Sequence, residues 1–147
     1  MFKHILVPTD GSTLSQDTVA RAVTFARDAG ARITFFCAER HFPAIYLGVG
    51  AVADAHATTD FHQAEEAIAN GILADCERQA TAAGVPCSIL TIVSEEPYEA
   101  IIDAATRSAC DLIFMASHGR RGLKALLLGS ETHKVLTHST IPVLVYR

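Results

Sequence analysis

The chain has 147 residues, half of them apolar and 19% charged, which is enough for one buried core and too apolar for a disordered chain. Its 12 basic and 16 acidic side chains leave a formal charge of −4, excluding broad attachment to nucleic acid or to an anionic membrane, since both need a basic face. No apolar run approaches the roughly 18–20 residues that cross a bilayer, and Ile5-Leu6-Val7 behind Met1-Phe2-Lys3-His4 is too short for a signal-peptide core, so the expectation is a cytoplasmic protein.

Ile5-Leu6-Val7 reads as a short strand, closed by Pro8-Thr9-Asp10-Gly11-Ser12, with Ser12 as the N-cap of a following helix. In that helix Val19, Val23 and Ala26 recur at helical spacing, Ala22, Phe25 and Ala29 widen the stripe, and Gly30 stands where the helix should stop. Ile33-Thr34-Phe35-Phe36-Cys37 is a second strand. Residues 41–59 carry Pro43, Gly48 and Gly50 without a clear period and read as a long loop. Asp60 then caps a helix running through Ile68, Ile72, Cys76, Ala80 and Ala83 to Gly84-Val85-Pro86. Ser88–Val93 is a third strand. Pro97 opens the next helix, with Ile101, Ile102 and Ala105 inward. Leu112–Ala116 is apolar on both faces, as a central parallel strand should be. Ser130 caps a last helix through Val135 and Leu136, and Pro142–Tyr146 is the fifth strand.

Five strands alternating with four helices imply right-handed crossovers and a parallel sheet covered on both faces: one doubly wound, Rossmann-like α/β domain over residues 1–147. In such sheets a ligand binds outside the carboxyl ends of the strands, where the strand order reverses. The segments after the first and fourth strands are therefore the places to search.

After the fourth strand the chain reads Ala116-Ser117-His118-Gly119-Arg120-Arg121-Gly122, and Gly129-Ser130 opens the last helix. Glycines that admit close approach of the main chain, unpaired helix N–H groups, and Arg120, Arg121 and Lys124 together suit a phosphate chain. The competing reading is a tight loop with a solvated basic face and an ordinary helix cap. Asp10, on the turn after the first strand, stands equally between accepting hydrogen bonds from ribose hydroxyls and capping the first helix.

At these residues the chain resembles the universal stress proteins of the UspA family, along its whole length. The likeness rests on Ile5-Leu6-Val7-Pro8-Thr9-Asp10-Gly11-Ser12, on Ser117-His118-Gly119…Gly129-Ser130, and on Ile141-Pro142-Val143-Leu144-Val145. The resemblance implies a five-stranded sheet in the order 3-2-1-4-5, a homodimer paired through the C-terminal strand, and ATP, or ADP or AMP, bound at the strand ends. The motif of the nucleotide-binding branch is G-x₂-G-x₉-G-[ST]. Gly119, Gly129 and Ser130 match it, while Ala116 replaces the first glycine. By the same resemblance Asp10 would hold the ribose and the Ala38 main chain the adenine edge. Pro8, Thr9 and Met115 would line the base pocket, and Ser130 with the N–H groups of Glu131 and Thr132 would meet phosphates; from their own place in the loop, Arg120 and Lys124 would add charge. His118 has two open roles, touching the nucleotide or pinning the loop. Glu131 departs from what a phosphate site wants: its side chain either points away, favours fewer phosphates, or meets a bridging Mg²⁺.

Other patterns carry less. Gly48-Val49-Gly50-Ala51-Val52-Ala53 has a dinucleotide-like spacing, but in a loop after the second strand. Cys37, Cys76, Cys87 and Cys110 are widely spaced and read as reduced, packed thiols. The seven histidines form no H-x₃-H or H-E-x-x-H pair, so no metal site independent of a nucleotide is expected. No G-x-S-x-G elbow or Walker A sequence is present, and no evident base serves a γ-phosphate, so at most slow ATP hydrolysis is expected. The resulting expectation is an adenine-nucleotide-binding, dimeric stress regulator. The alternatives are a weak ATPase and an interaction module of the same fold whose pocket is vestigial.

Overall fold

The computed structural model describes residues 1–42, 55–119 and 128–147. In chain order the elements are β1 (His4–Pro8), α1 (Thr13–Ala29), β2 (Arg32–Arg40), α2 (Ala55–Ala82), β3 (Cys87–Ser94), α3 (Pro97–Arg107), β4 (Leu112–Ala116), α4 (Ser130–His138) and β5 (Val143–Tyr146). The strands form one sheet, every pair parallel, as the alternation of apolar runs and helices predicts, and their order β3-β2-β1-β4-β5 is the one the family resemblance implies.

Alternation along the strands builds two cores. Ile5 and Val7 of β1 and Ile33, Phe35 and Cys37 of β2 face α1 and α2, packing on Val19, Ala22 and Leu73. Leu6 and Phe36 face the other way with Ile113 and Met115, onto Ala100, Ile101 and Ala104 of α3 and Val135 of α4. The ladder between β1 and β4 pairs Ile5 with Leu112 and Leu6 with Ile113. Beyond that point Val7 and Pro8 stay paired to β2, while Met115 and Ala116 pair with β5. The sheet therefore parts at the carboxyl ends of β1 and β4, where the strand order reverses.

Helix ends follow their local chemistry. Ser12 caps α1, its hydroxyl accepting the Ser15 N–H at 3.4 Å. Gly30, at φ 62°, turns the chain out so that the Ala31 N–H reaches the Ala26 carbonyl at 2.9 Å. The second helix departs from expectation. It begins by Ala55, placing Asp60 inside it rather than at its cap, and β2 runs on to Arg40, so part of the expected 41–59 loop is helical; residues 43–54, including the glycine-spaced run, lie outside the described residues. Its buried stripe is Ala69, Leu73, Cys76 and Ala80, whereas Ile68 is 49% exposed. Small Ala69 brings the helix close to the sheet, and Ile68 lies one residue, about 100°, off that face. Leu136 of α4 is likewise on the outer side, and Ile102 is half-buried while Ala104 is fully buried.

All four cysteines are thiols. Burial, with the Asp75 carboxylate nearby, pushes Cys76 up to about 12, and burial lifts Cys110 to about 11, so both are inert near neutral pH.

At the opposite end of the sheet His4 is 7% exposed. Its Nε2 meets the Thr34 hydroxyl at 2.8 Å, which in turn meets Ser88 Oγ at 2.9 Å, while its Nδ1 makes no well-formed hydrogen bond among the described residues, although the main chain of Ser108 and Ala109 lies close enough to act on the ring. Burial and the Arg32 guanidinium lower its pKa below 6.5, outweighing the opposing pull of Asp111. Well above pH 6.5 the imidazole is neutral in both folded and unfolded chains. As the pH falls below 6.5 the unfolded chain takes up a proton that the folded chain resists, so stability is lost in that window. Thermal melts across this range should show the wild type declining more steeply than His4→Gln. Parallel pH profiles would contradict the assignment.

Candidate functional site

The turn after β1 is ordered by its own side chains. The Thr9 N–H donates to the Phe36 carbonyl at 2.8 Å, prolonging the β1–β2 pairing, and Gly11 takes φ 76°. Ser15, 2% exposed, is the hub: its hydroxyl lies 2.6 Å from Thr9 Oγ1 and accepts the Asp10 N–H at 3.2 Å. Asp10 Oδ1 accepts the Ser12 N–H at 3.0 Å. The Asp10 carboxylate is thus half-buried and held at the parting of the sheet, and both readings of it are compatible: one oxygen helps cap α1 while the other lies toward Gly119.

The second half comes from the end of β4 and the start of α4. The Gly129 N–H donates to the Ser117 carbonyl at 2.8 Å, and the Thr132 hydroxyl donates to the Ala116 carbonyl at 3.0 Å. The cap of α4 is Gly129, with φ −60° and ψ 149°, and Ser130 is the first helical residue rather than the cap. Gly129 has no side chain to engage the first-turn donors, and the N–H groups of Ser130, Glu131 and Thr132 meet no hydrogen-bond partner among the described residues. A Cβ on Gly129 would stand 3.0 Å from the His118 Cα and 3.1 Å from the Ser117 carbonyl oxygen; one on Gly119 would collide with Asp10 Oδ2. The two glycines let the two loops and the helix mouth come together.

The remaining expected residues fall around this point. Pro8 ends β1, and Met115 and Ala116 end β4, both buried, so the alanine that replaces a motif glycine keeps its methyl largely from solvent. Ala38 packs against the core on the α3–α4 side of the sheet, to which Met115 also belongs. His118 is half-buried, its Nδ1 3.1 Å from Ser117 Oγ. Arg120, Arg121, Gly122 and Lys124 lie outside the described residues. Among the described residues no group of three or more His, Cys, Asp or Glu is arranged to hold a metal ion.

Three contacts had no clear signal in the sequence. Besides Ser15, the Arg40 guanidinium forms a two-pronged pair with Glu65 of α2, Nε to Oε2 at 3.0 Å and the terminal nitrogen to Oε1 at 2.5 Å, bracing the end of β2 beside Ala38. The third is the direction of the Glu131 side chain. Its Oε2 accepts the Tyr98 N–H at 2.9 Å, so the carboxylate turns to the first turn of α3, where the cap residue Glu96 makes no side-chain cap bond. Lys134 lies 3.4 Å from Glu131 and 3.2 Å from Glu96, and 4.9 Å from the Tyr98 ring centre.

A concavity of about 450 Å³ lies at the other end of the sheet, lined by Lys3, Arg27, Gly30, Arg32, Gly84 and Pro86 among others. The carboxyl ends of α1 and α2 terminate there, beside the cationic Lys3, Arg27 and Arg32.

The family model described as the universal stress protein family matches residues 1–147, the whole chain. The chain belongs to that family. A universal stress protein of Thermus aquaticus is 32% identical over 147 residues, covering all of both chains. Among solved structures, that of a universal stress protein of Methanocaldococcus jannaschii superposes with a TM-score of 0.83 at 24% identity, over 99% of this chain and 95% of that one. A universal stress protein of Archaeoglobus fulgidus, solved in complex with dAMP, superposes with a TM-score of 0.69 at 19% identity, over 99% and 98%. These structures share the fold of the chain. Among the described residues no helix is long and apolar enough to cross a membrane.

Proposed function

We propose that this universal stress protein binds an adenine nucleotide at the split between β1 and β4 and acts as a dimeric, ligand-dependent regulator. The observation that carries the proposal is the meeting of a half-buried carboxylate, Asp10, with a helix mouth whose first-turn N–H groups have no partner among the described residues. A sugar and a phosphate on one ligand answer the two halves: hydroxyls donate to a carboxylate, and an anion accepts from the positive end of a helix. In this reading Asp10 holds the ribose, and the Ala38 main chain meets the adenine edge with Pro8, Thr9 and Met115 around the base. Gly129 and the N–H groups of Ser130, Glu131 and Thr132 take phosphate, with Ala116, His118 and Gly119 forming the floor and Arg120 adding charge. The dAMP held by the Archaeoglobus fulgidus relative supports an adenine ligand. ATP, ADP and AMP, with or without Mg²⁺, are the candidates.

For the dimer, β5 is an edge strand whose Val143, Leu144, Val145 and Tyr146 are only half-buried, a surface that pairing with a second copy would cover. Calorimetric titration of the nucleotide-stripped protein with ATP, ADP, AMP and cyclic AMP tests the ligand. Saturable binding near one site per chain is expected for at least one of them. Failure of all four would leave an interaction module with a vestigial pocket.

A further inference from the structure

We infer that Glu131 sets how many phosphates the site accepts, favouring an adenosine monophosphate over a triphosphate; the inference rests on the nucleotide reading above. Glu131 is the second residue of α4, so its N–H is among the donors at the helix mouth while its carboxylate belongs to the same turn. A helix N-terminus offers an anion the equivalent of about half a positive charge. A full negative charge fixed within that first turn offsets it.

The carboxylate is held where it is. The Tyr98 N–H donates to Oε2 at 2.9 Å, in the first turn of α3, where Pro97 has no N–H and Glu96 supplies no side-chain cap. Turning Glu131 toward a phosphate-bound cation would strip that helix end of its acceptor. Among the described residues one ammonium, Lys134, stands beside it, and it is shared with Glu96, lying 3.4 Å from the Glu131 carboxylate and 3.2 Å from that of Glu96. Glu99, whose carboxylate accepts the Tyr98 hydroxyl at 2.8 Å, adds another negative group to that rim. The pairs are partly exposed, with side chains between 36% and 52% accessible, so the field is weakened by solvent but not removed.

Repulsion from a fixed charge scales with the charge of the ligand. A monophosphate carries about two negative charges near neutral pH and a triphosphate about four. The same carboxylate therefore weakens the triphosphate more, and the discrimination disappears with the charge.

The test uses the full-length, nucleotide-stripped protein and compares AMP with ATP by calorimetry, in EDTA at low salt and again in Mg²⁺. Glu131→Gln keeps an oxygen for the Tyr98 N–H and removes the charge. It should raise ATP affinity relative to AMP affinity by roughly three- to tenfold, less at high salt. Lys134→Met, which removes the partial neutralisation, should move the ratio the other way. This second variant keeps the test decisive if Glu131→Gln fails to fold. An equal change for both ligands, or none, would reduce Glu131 to a helix cap and overturn the inference while leaving nucleotide binding intact. ATP affinity that falls in Glu131→Gln only when Mg²⁺ is present would also overturn it, by making the carboxylate a metal anchor. Binding of neither nucleotide by the wild type would remove the underlying reading itself.

Discussion

Gly129→Val should lower nucleotide affinity by about two orders of magnitude while leaving the parallel sheet folded. At φ −60° the backbone of residue 129 suits any amino acid, so the penalty is wholly steric. The added Cβ would stand 3.0 Å from the His118 Cα and 3.1 Å from the Ser117 oxygen, both main-chain atoms that cannot swing aside. Relief requires the loop after β4 to move away from α4, breaking the 2.8 Å bond from the Gly129 N–H to Ser117 and misaligning the first-turn donors. Overpacking of this kind costs about 1–3 kcal/mol, and hydrogen bonds to a charged group contribute about 1.5–3 kcal/mol each. A loss near 2.7 kcal/mol is about a hundredfold. Gly129→Ala should fall between, since the crowded atoms need shift only by tenths of an ångström. Titration calorimetry beside circular dichroism separates lost binding from lost structure, and wild-type affinity in the valine variant would count against the site.

The second large effect is expected at Asp10. Asp10→Ala removes the acceptor for the Ser12 N–H, at 3.0 Å, and the oxygen that lies toward Gly119. Affinity for AMP should drop about 10- to 100-fold, the range of one charge-assisted hydrogen bond or a little more. The lost bond to Ser12, local and near the surface, accounts for about 0.5–1.5 kcal/mol of stability. The discriminating control is 2′,3′-dideoxy-AMP. If the carboxylate holds ribose hydroxyls, that ligand should bind wild type and variant alike. A penalty of equal size for both ligands would assign Asp10 to the shape of the turn rather than to the sugar.

How far the fold could be read from sequence varies with the range of the interactions involved. Leu112–Ala116 declares itself because a strand buried on both faces is apolar at every position, and Ser12 and Gly30 mark α1 because helix ends are set by neighbouring residues. The start of α2 was obscure: Ala55–Thr59 has neither a strong cap nor an apolar stripe, and what braces that half of the helix, Arg40 on Glu65, spans 25 positions. The same reason hid the direction of Glu131, whose partner is the backbone of a residue 33 positions earlier. In the sequence Asp10 stands out by its place after the first strand and Gly119 and Gly129 by their motif, but the contacts of the two glycines do not show there. That Gly119 abuts the carboxylate of Asp10 depends on how β1 and β4 part, which only the assembled sheet displays.

The bonds from Gly129 to Ser117 and from Thr132 to Ala116 act as a pair of stitches, closing the chain on itself between the end of β4 and the first turn of α4. The donors at the helix mouth are thereby tied to the end of β4 by one main-chain bond and one side-chain bond, so their position is set by the sheet itself.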